Sequence, residues 1–367
     1  MKKMMGLVWT NYTDGDFGLL TEERPIAAIP YGGRYRLVDF PLSNMVNSGI
    51  RTVGLITPYL YRSLLDHVGN GKEWALSRKT GGLYFLPGST YGMRSAGGRF
   101  LLRDILHNKT YLERAHEELV VISSCSKIYN IDFTEVAKAH EASGAGITLV
   151  YKKSVNGAKG KNLDIVTDAK GRVTDIQKEI PDEADLFMDA IIIDKSLFIK
   201  VLQWYEAQSY LDLMDVIAEN LGQLPVYGYE FTGYAHAVDN IVDYMDASME
   251  LLNPDVIKEL FMGERMIKTK IHDAHPVKYG PNAKVVNSLV ATGTVVKGTI
   301  ENSIIFRGCT IEEGTSIRNS VILSNCIIAN DIIAENVICD KFVRLSEGIK
   351  LHGTGERPLV VTRKQYS

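Results

Sequence analysis

The side chains best placed to do chemistry lie near the N-terminus, in the stretch from Leu7 to Phe40, LVWTNYTDGDFGLLTEERPIAAIPYGGRYRLVDF. A loop that cradles phosphate needs small residues, so that backbone N–H groups approach the anion, and a basic side chain to neutralise it. Here Asn11, Tyr12, Thr13, Asp14 and Asp16 crowd the segment, and no Lys or Arg occurs between Lys3 and Arg24. Gly15 and Gly18 offer at most a makeshift loop, and a carboxylate beside a triphosphate repels it. Arg34 and Arg36 follow the pair Gly32-Gly33. A guanidinium fork suits a phosphorylated sugar, and pairing with a local carboxylate such as Asp39 is the alternative use of both.

The remaining composition narrows the field. A chain of 367 residues is too long for one ordinary domain and suits two. With 45% hydrophobic and 23% charged residues it is globular. The formal net charge of -3 lacks the basic excess of a nucleic-acid binder. Cys125, Cys309, Cys326 and Cys339 form no C-x-x-C pair and have no His at ligand spacing, so reduced, mostly buried thiols are expected rather than a zinc site. The start MKKMMGLVW imitates a signal peptide, but Asn11 and Asp14 cut its apolar run short, which predicts a buried first strand. No apolar run is long enough to cross a membrane, and a cytoplasmic location is expected.

These residues need elements to hold them. Up to about residue 230 the chain alternates β-rich runs with helical patterns, as α/β folds do. MGLVW, TVGLITP, LVVISS and GITLVYKK read as strands, three of them almost wholly apolar, as in a parallel sheet covered on both faces. FPLSNMVNSG reads as a helix ended by Gly49, and DFTEVAKAHEASGA as one capped by Asp132 or Thr134 and stopped by Gly144. Asn240 to Asp255 reads as one amphipathic helix with Pro254 near its end.

After about Ala274 a six-residue period sets in: Ile305, Ile311 and Ile317; Val321, Ile327 and Ile333; Ile332 with Ile338; Val343 with Ile349. One apolar residue per short strand pointing into a triangular prism is the hexapeptide pattern of a left-handed parallel β-helix. Gly and Asn tolerate its tight corners. The expected domains are 1–232 (α/β), 233–274 (helical connector) and 275–367 (β-helix).

RPIAAIPYGGRYRLVDFPLSNMVNSGI, LITPYLYRSLLDHV, IYNIDF and GYAHAVDNIVDYMDASMELL occur in the order in which similar segments occur in ADP-glucose pyrophosphorylases, and the chain resembles that family along nearly its whole length. The resemblance implies an α/β nucleotidyltransferase fold, mostly parallel, with a C-terminal β-helix. It also implies a reaction that joins glucose-1-phosphate to ATP with Mg²⁺. The family's site residues are another matter. Its loop G-G-x-G-T-R-L has Asp16 at the Arg, and its R-A-K-P has Ile26 at the Lys. Its two metal aspartates, in G-D-H-I-Y and Y-W-R-D-V-G-T, are Ser126 and Ala237, with Lys127 at the His. Its F-x-E-K-P reads IQKEIP, placing Glu179 at the sugar-phosphate Lys, unless a slip brings Lys178 back. Its S-M-G reads FMD, with Phe187 where a small polar residue faces the sugar. The metal ligands are therefore absent, and no cofactor is expected.

The leading expectation is a non-catalytic, regulatory subunit that joins a catalytic homologue in a hetero-oligomer, expected to be a tetramer, with a sugar phosphate as its effector. Arg34 stands where the family's effector region has a basic residue, and Arg36 lies beside it. A weakly active adenylyltransferase using Asp14, Asp16 and Asp239 as improvised metal ligands is the second expectation. An acyltransferase using His272, His275 or His352, which flank the repeats, is the third.

Overall fold

The computed structural model describes residues 2–10, 17–57, 60–88, 100–153, 162–178, 184–208 and 210–365. Asp14, Gly15, Asp16 and Glu179 lie outside the described residues. Nine strands form the main sheet among them. Met4–Trp9 (β1) is central and buried along its whole length, as a strand without a polar side chain must be. On one side it pairs in parallel with Thr52–Thr57 (β2), which pairs with Gly82–Pro87 (β3) at the edge. On the other side Leu119–Ser124 (β4) is also parallel. The chain then runs into Lys127–Tyr129 (β5), which leaves the sheet.

Beyond β4 the sheet turns mixed. Ile147–Lys153 (β6), Asp164–Thr167 (β7), Val173–Gln177 (β8) and Asp185–Asp194 (β9) complete that half, with β9 antiparallel to both β4 and β6. Val226–Glu230 (β10) pairs in parallel with β6. Ala235–Ala237 (β11) pairs antiparallel with β5, Ala237 facing Lys127. Apolar side chains on both faces of the sheet form two separate cores.

Helix Asp39–Asn47 (α1) explains why FPLSN stands out in the sequence. Asn44 donates to the Tyr129 carbonyl at 3.0 Å and accepts from the Ile131 N–H at 3.3 Å. The Ser43 hydroxyl accepts from the Trp74 indole and the Lys268 N–H, at 3.1 and 2.8 Å. Ser48 accepts from the Phe133 N–H at 2.9 Å, where Phe133–Ser143 (α2) begins. In α2 the Asp132 carboxylate makes the cap and Gly144 ends the helix in the left-handed conformation.

The single helix expected over Asn240–Asp255 is two. Ile241–Glu250 (α3) starts on an Asn240 cap, and Pro254–Phe261 (α4) starts on an Asn253 cap with Pro254 in its first turn. Proline lacks the N–H that a first turn leaves unused, so it opens the second helix instead of closing the first.

From Lys278 onward the chain winds through three five-stranded parallel sheets. Most coils take 17 residues, since Ser316 pairs with Ile333 and Ile333 with Lys350. One coil is shorter: Thr299 pairs with Lys284. Ile305, Ile311 and Ile317 are fully buried inside, as expected. The run Val321, Ile327, Ile333 is not the inner one. Ile327 and Ile333 are exposed, and the interior is filled by Ile322, Ile328 and Ala334. A coil of 17 is two steps of six and one of five, so an unbroken six-residue count drifts outward after one coil.

Every coil needs a left-handed residue at its corners. One corner column holds Asn302, Asn319 and Asn336, and another Gly308, Asn325 and Phe342, all at positive φ. Phe342 is the misfit there, because its Cβ crowds the following carbonyl. Phe342→Asn should raise unfolding stability by roughly 1 kcal/mol, read from urea melts.

Candidate functional site

Two charged regions are built into this scaffold. The first lies beyond the C-terminal ends of β1 and β4, where open α/β sheets place their ligands. Ser126, Lys127 and Ala237 meet here. The Val238 N–H donates to the Ser126 carbonyl at 2.8 Å, and β5 and β11 run side by side. The structure thus brings the two expected metal positions onto facing strands, carrying a hydroxyl and a methyl.

A buried cation lies next to them. Lys127 is 4% exposed. Its ammonium lies 3.5 Å from the Asp239 carboxylate and donates to the Asn162 side-chain carbonyl. Asp239 and Asn162 are buried as well. Beside them the Asp189 carboxylate accepts from the Ser124 and Ser126 hydroxyls, at 2.9 and 2.6 Å. Asp189 stands at the glycine of S-M-G, has φ +51, and sits where β9 slips register against β6. A left-handed aspartate is tolerated because its short side chain is held by the Ser124 and Ser126 hydroxyls.

The described residues here do not fit Mg²⁺. That ion asks for a compact set of carboxylate and phosphate oxygens. Ser126 is hydrogen-bonded to Asp189, Ala237 has no donor atom, and Asp239 faces an ammonium. Among the described residues no group of three or more His, Cys, Asp or Glu side chains is placed to hold a metal.

The sugar end is packed shut on one side. Phe187 is fully buried, its ring 6.4 Å from Phe100, which meets Trp9 edge-on at 5.5 Å. Ile26 is a core residue in a short 3₁₀ turn. Lys178 points away and pairs with Asp215 at 2.8 Å, an exposed contact that holds its pKa above the usual value.

The second region is a cleft of about 480 Å³ between the turn Pro30–Arg36 and the β-helix. Gly32 and Gly33, both at positive φ, close that turn. A Cβ on Gly33 would come within 2.9 Å of Leu289 in the first coil, so only glycine lets the two parts touch. Arg34, Arg36, Lys270, His272, Arg307 and Lys341 line the cleft, against Asp66 and Asp273. Its β-helix wall is one corner column: Arg307, Ser324 and Lys341 recur every 17 residues, each before a left-handed residue.

The charge of Asp39 only partly offsets the burial of Arg36. Its carboxylate accepts from the Arg36 backbone N–H at 2.9 Å and faces His67 Nε2 at 2.6 Å. The Arg36 guanidinium instead donates to the Ser63 carbonyl, and Arg34 lies over the Tyr35 ring. Burial pushes Arg36 down to about 10. Burial, then the charges of Arg36, Arg24 and Arg307, pushes Lys341 down to about 7. Burial and Arg34 lower Arg307, and burial and Arg307 lower His272. These cations cost stability where they stand, and an anion would relieve the crowding.

The three histidines do not assemble. His272 faces the cleft, His275 is exposed beside the first coil, and His352 lies 3.5 Å from Glu335 on an outer face. Sequence reasoning missed Asp189, Arg307 and Lys341. The 17-residue spacing of Arg307 and Lys341, twice over, was the signal available for the last two.

Lys341 loses protons on folding below its ordinary range, so its penalty is complete below about pH 7 and fades as pH rises towards 10.5. Lys341→Met should therefore raise Tm, with a larger gain at pH 6 than at pH 9. Equal gains at both pH values in thermal melts would contradict the assigned burial.

Comparison with known proteins bears on both regions. The nucleotidyl transferase family model matches residues 19–253, and a model described as GlmU-like, C-terminal hexapeptide matches residues 274–356. The glycogen biosynthesis protein GlgD of Bacillus subtilis (strain 168) is 37% identical over 345 residues, covering 94% of this chain and 91% of that protein. GlgD of Geobacillus stearothermophilus is 34% identical over 86% of this chain and 83% of its own length. The glucose-1-phosphate adenylyltransferase of Thermotoga neapolitana is 31% identical over 82% of this chain and 73% of its own length. Among the described residues no helix is long and apolar enough to cross a membrane.

Proposed function

The chain belongs to the nucleotidyl transferase family, and we propose that it serves glycogen synthesis as a non-catalytic, regulatory partner of a glucose-1-phosphate adenylyltransferase. The observation that carries this reading is the region beyond β1 and β4, where the two metal positions hold a hydroxyl and a methyl and the buried Lys127 ammonium pairs with Asp239. Transfer of an adenylyl group depends on neutralising phosphate charge, each such contact being worth roughly 3–4 kcal/mol in the transition state. Loss at the Arg, Lys and metal positions together leaves little rate for the isolated chain.

Regulation needs two sites and a free-energy coupling between them. The groove of Arg34, Arg36, Arg307 and Lys341 supplies the second site, suited to a phosphorylated sugar by its charge and its forked donors. Contacts with a catalytic homologue that differ between that subunit's active and inactive states would carry the effect. A cytoplasmic hetero-oligomer, a tetramer by analogy with the family's habit, is the assembly proposed.

The isolated chain with ATP, glucose-1-phosphate and Mg²⁺ should release no pyrophosphate. Co-expressed with a catalytic homologue it should co-purify and raise adenylyltransferase activity roughly fivefold or more, the lower end of ordinary coupling. Equal activity without co-purification sinks the proposal. In the mixed oligomer Arg34→Ala should blunt the response to a sugar phosphate. Sulfate, which does not titrate in this range, should bind the isolated chain about tenfold more weakly at pH 8 than at pH 6, as Lys341 discharges. A calorimetric titration that finds no such change rejects the groove as the anion site.

A further inference from the structure

We infer that Lys127 is a built-in cation: its ammonium takes the electrostatic part that a divalent ion plays in the family, holding the strand pair β5–β11 together without metal. The inference uses family membership and not the regulatory reading.

Charge balance is the first argument. Two carboxylates on facing strands repel and need a divalent ion between them. Here the two metal positions are a hydroxyl, Ser126, and a methyl, Ala237, and the pairing of β5 with β11 brings the Lys127 ammonium to 3.5 Å from Asp239, two residues beyond β11. The second argument is burial. An ammonium that is 4% exposed survives only with partners, and Lys127 has the Asp239 carboxylate and the Asn162 carbonyl. The third is exclusion. The Asp189 carboxylate accepts from Ser124 and Ser126, so the hydroxyl standing at the first metal position is committed. A metal ion entering here would meet a fixed positive charge in a poorly solvated space.

The replacement reaches further than the cleft. Asp239 adjoins Asn240, whose side chain caps α3 through the Val242 and Asp243 N–H groups. The Tyr244 hydroxyl of α3 donates to the Pro30 carbonyl, and the Tyr31 hydroxyl to the Ala247 carbonyl of α3, each at 2.8 Å. Pro30 and Tyr31 lead into the turn that floors the cationic groove. An ion-dependent strand pair would make that turn respond to metal; a tethered ammonium holds it in one arrangement.

The test uses the isolated full-length chain, with Mn²⁺ as the probe. Electron paramagnetic resonance should show no specific Mn²⁺ binding at submillimolar concentration, and neither MnCl₂ nor EDTA should move Tm. Lys127→Met should lower Tm by roughly 5–10 °C by removing the ammonium beside the buried Asp239 carboxylate, while Lys127→Met/Asp239→Leu recovers part of the loss. Sulfate affinity in the groove should fall in the single variant and return in the double. One Mn²⁺ bound per wild-type chain and lost in Asp239→Asn overturns the inference. So does a Lys127→Met chain with unchanged Tm. Neither result touches co-purification with a catalytic homologue, which tests the proposed partnership separately.

Discussion

The ion pair of Lys127 and Asp239 is where the two halves of the molecule's logic meet. β5 is the continuation of the central strand β4, and β11 leads directly into α3, so one buried contact ties the main sheet to the helix that faces the β-helix. Removing one member of a buried pair leaves a charge with no solvent to turn to, typically at a cost of about 3–5 kcal/mol. The pair therefore behaves less as a local ornament than as a fastening. Asp189, Ser124 and Ser126 brace the same strand end by hydrogen bonds instead of charge.

The β-helix contributes by repetition. A 17-residue coil returns the same corner to the same azimuth, so Arg307 and Lys341 stack along one edge with Ser324 between them. Stacking puts like charges close together, and docking against the turn Pro30–Arg36 removes water from them. Both effects push the same way, which is why Lys341 sits near 7 while Arg24, only a short distance off, finds Asp340 in a two-pronged pair at 2.7 Å and keeps its charge balanced. Such a groove is unstable by construction until an anion enters. Phe342 repeats the theme in the backbone, as an aromatic residue held left-handed at the rim.

Much of this was legible before any coordinates. Continuous apolar runs marked β1, β2 and β4, and the corner residues marked the β-helix, because both patterns follow from burial and backbone sterics alone. The family's emptied positions were legible too, since they are single letters in recognisable surroundings. The failures have a common cause. Ile327 and Ile333 were assigned inward because a fixed six-residue count ignores the one short step in each coil. Pro254 was read as a stop because a start and a stop look alike without the Asn253 cap in view. Asp189 and Lys127 join residues 35 or more positions apart in sequence, and no periodicity encodes such a meeting. Charge deletion could be read from the sequence; charge replacement could not.

That distinction bears on what an emptied site is for. If Ser126 and Ala237 had merely drifted, the space between their strands would hold a solvent-filled gap and the strands would be free to part. Instead Lys127, opposite Ala237 in the strand pair, meets a carboxylate two residues beyond Ala237, and an aspartate on β9 takes up the hydroxyl that replaced the first ligand. Meanwhile Ser43, Asn44 and Ser48 hydrogen-bond to the backbone of neighbouring loops. A scaffold that has exchanged a removable ion for a tethered one retains the geometry and gives up the dependence. For a subunit whose proposed role is to influence a partner, a conformation that does not wait on metal is the more useful property. The anion groove at the other end of α3 then becomes the part of the molecule still open to change.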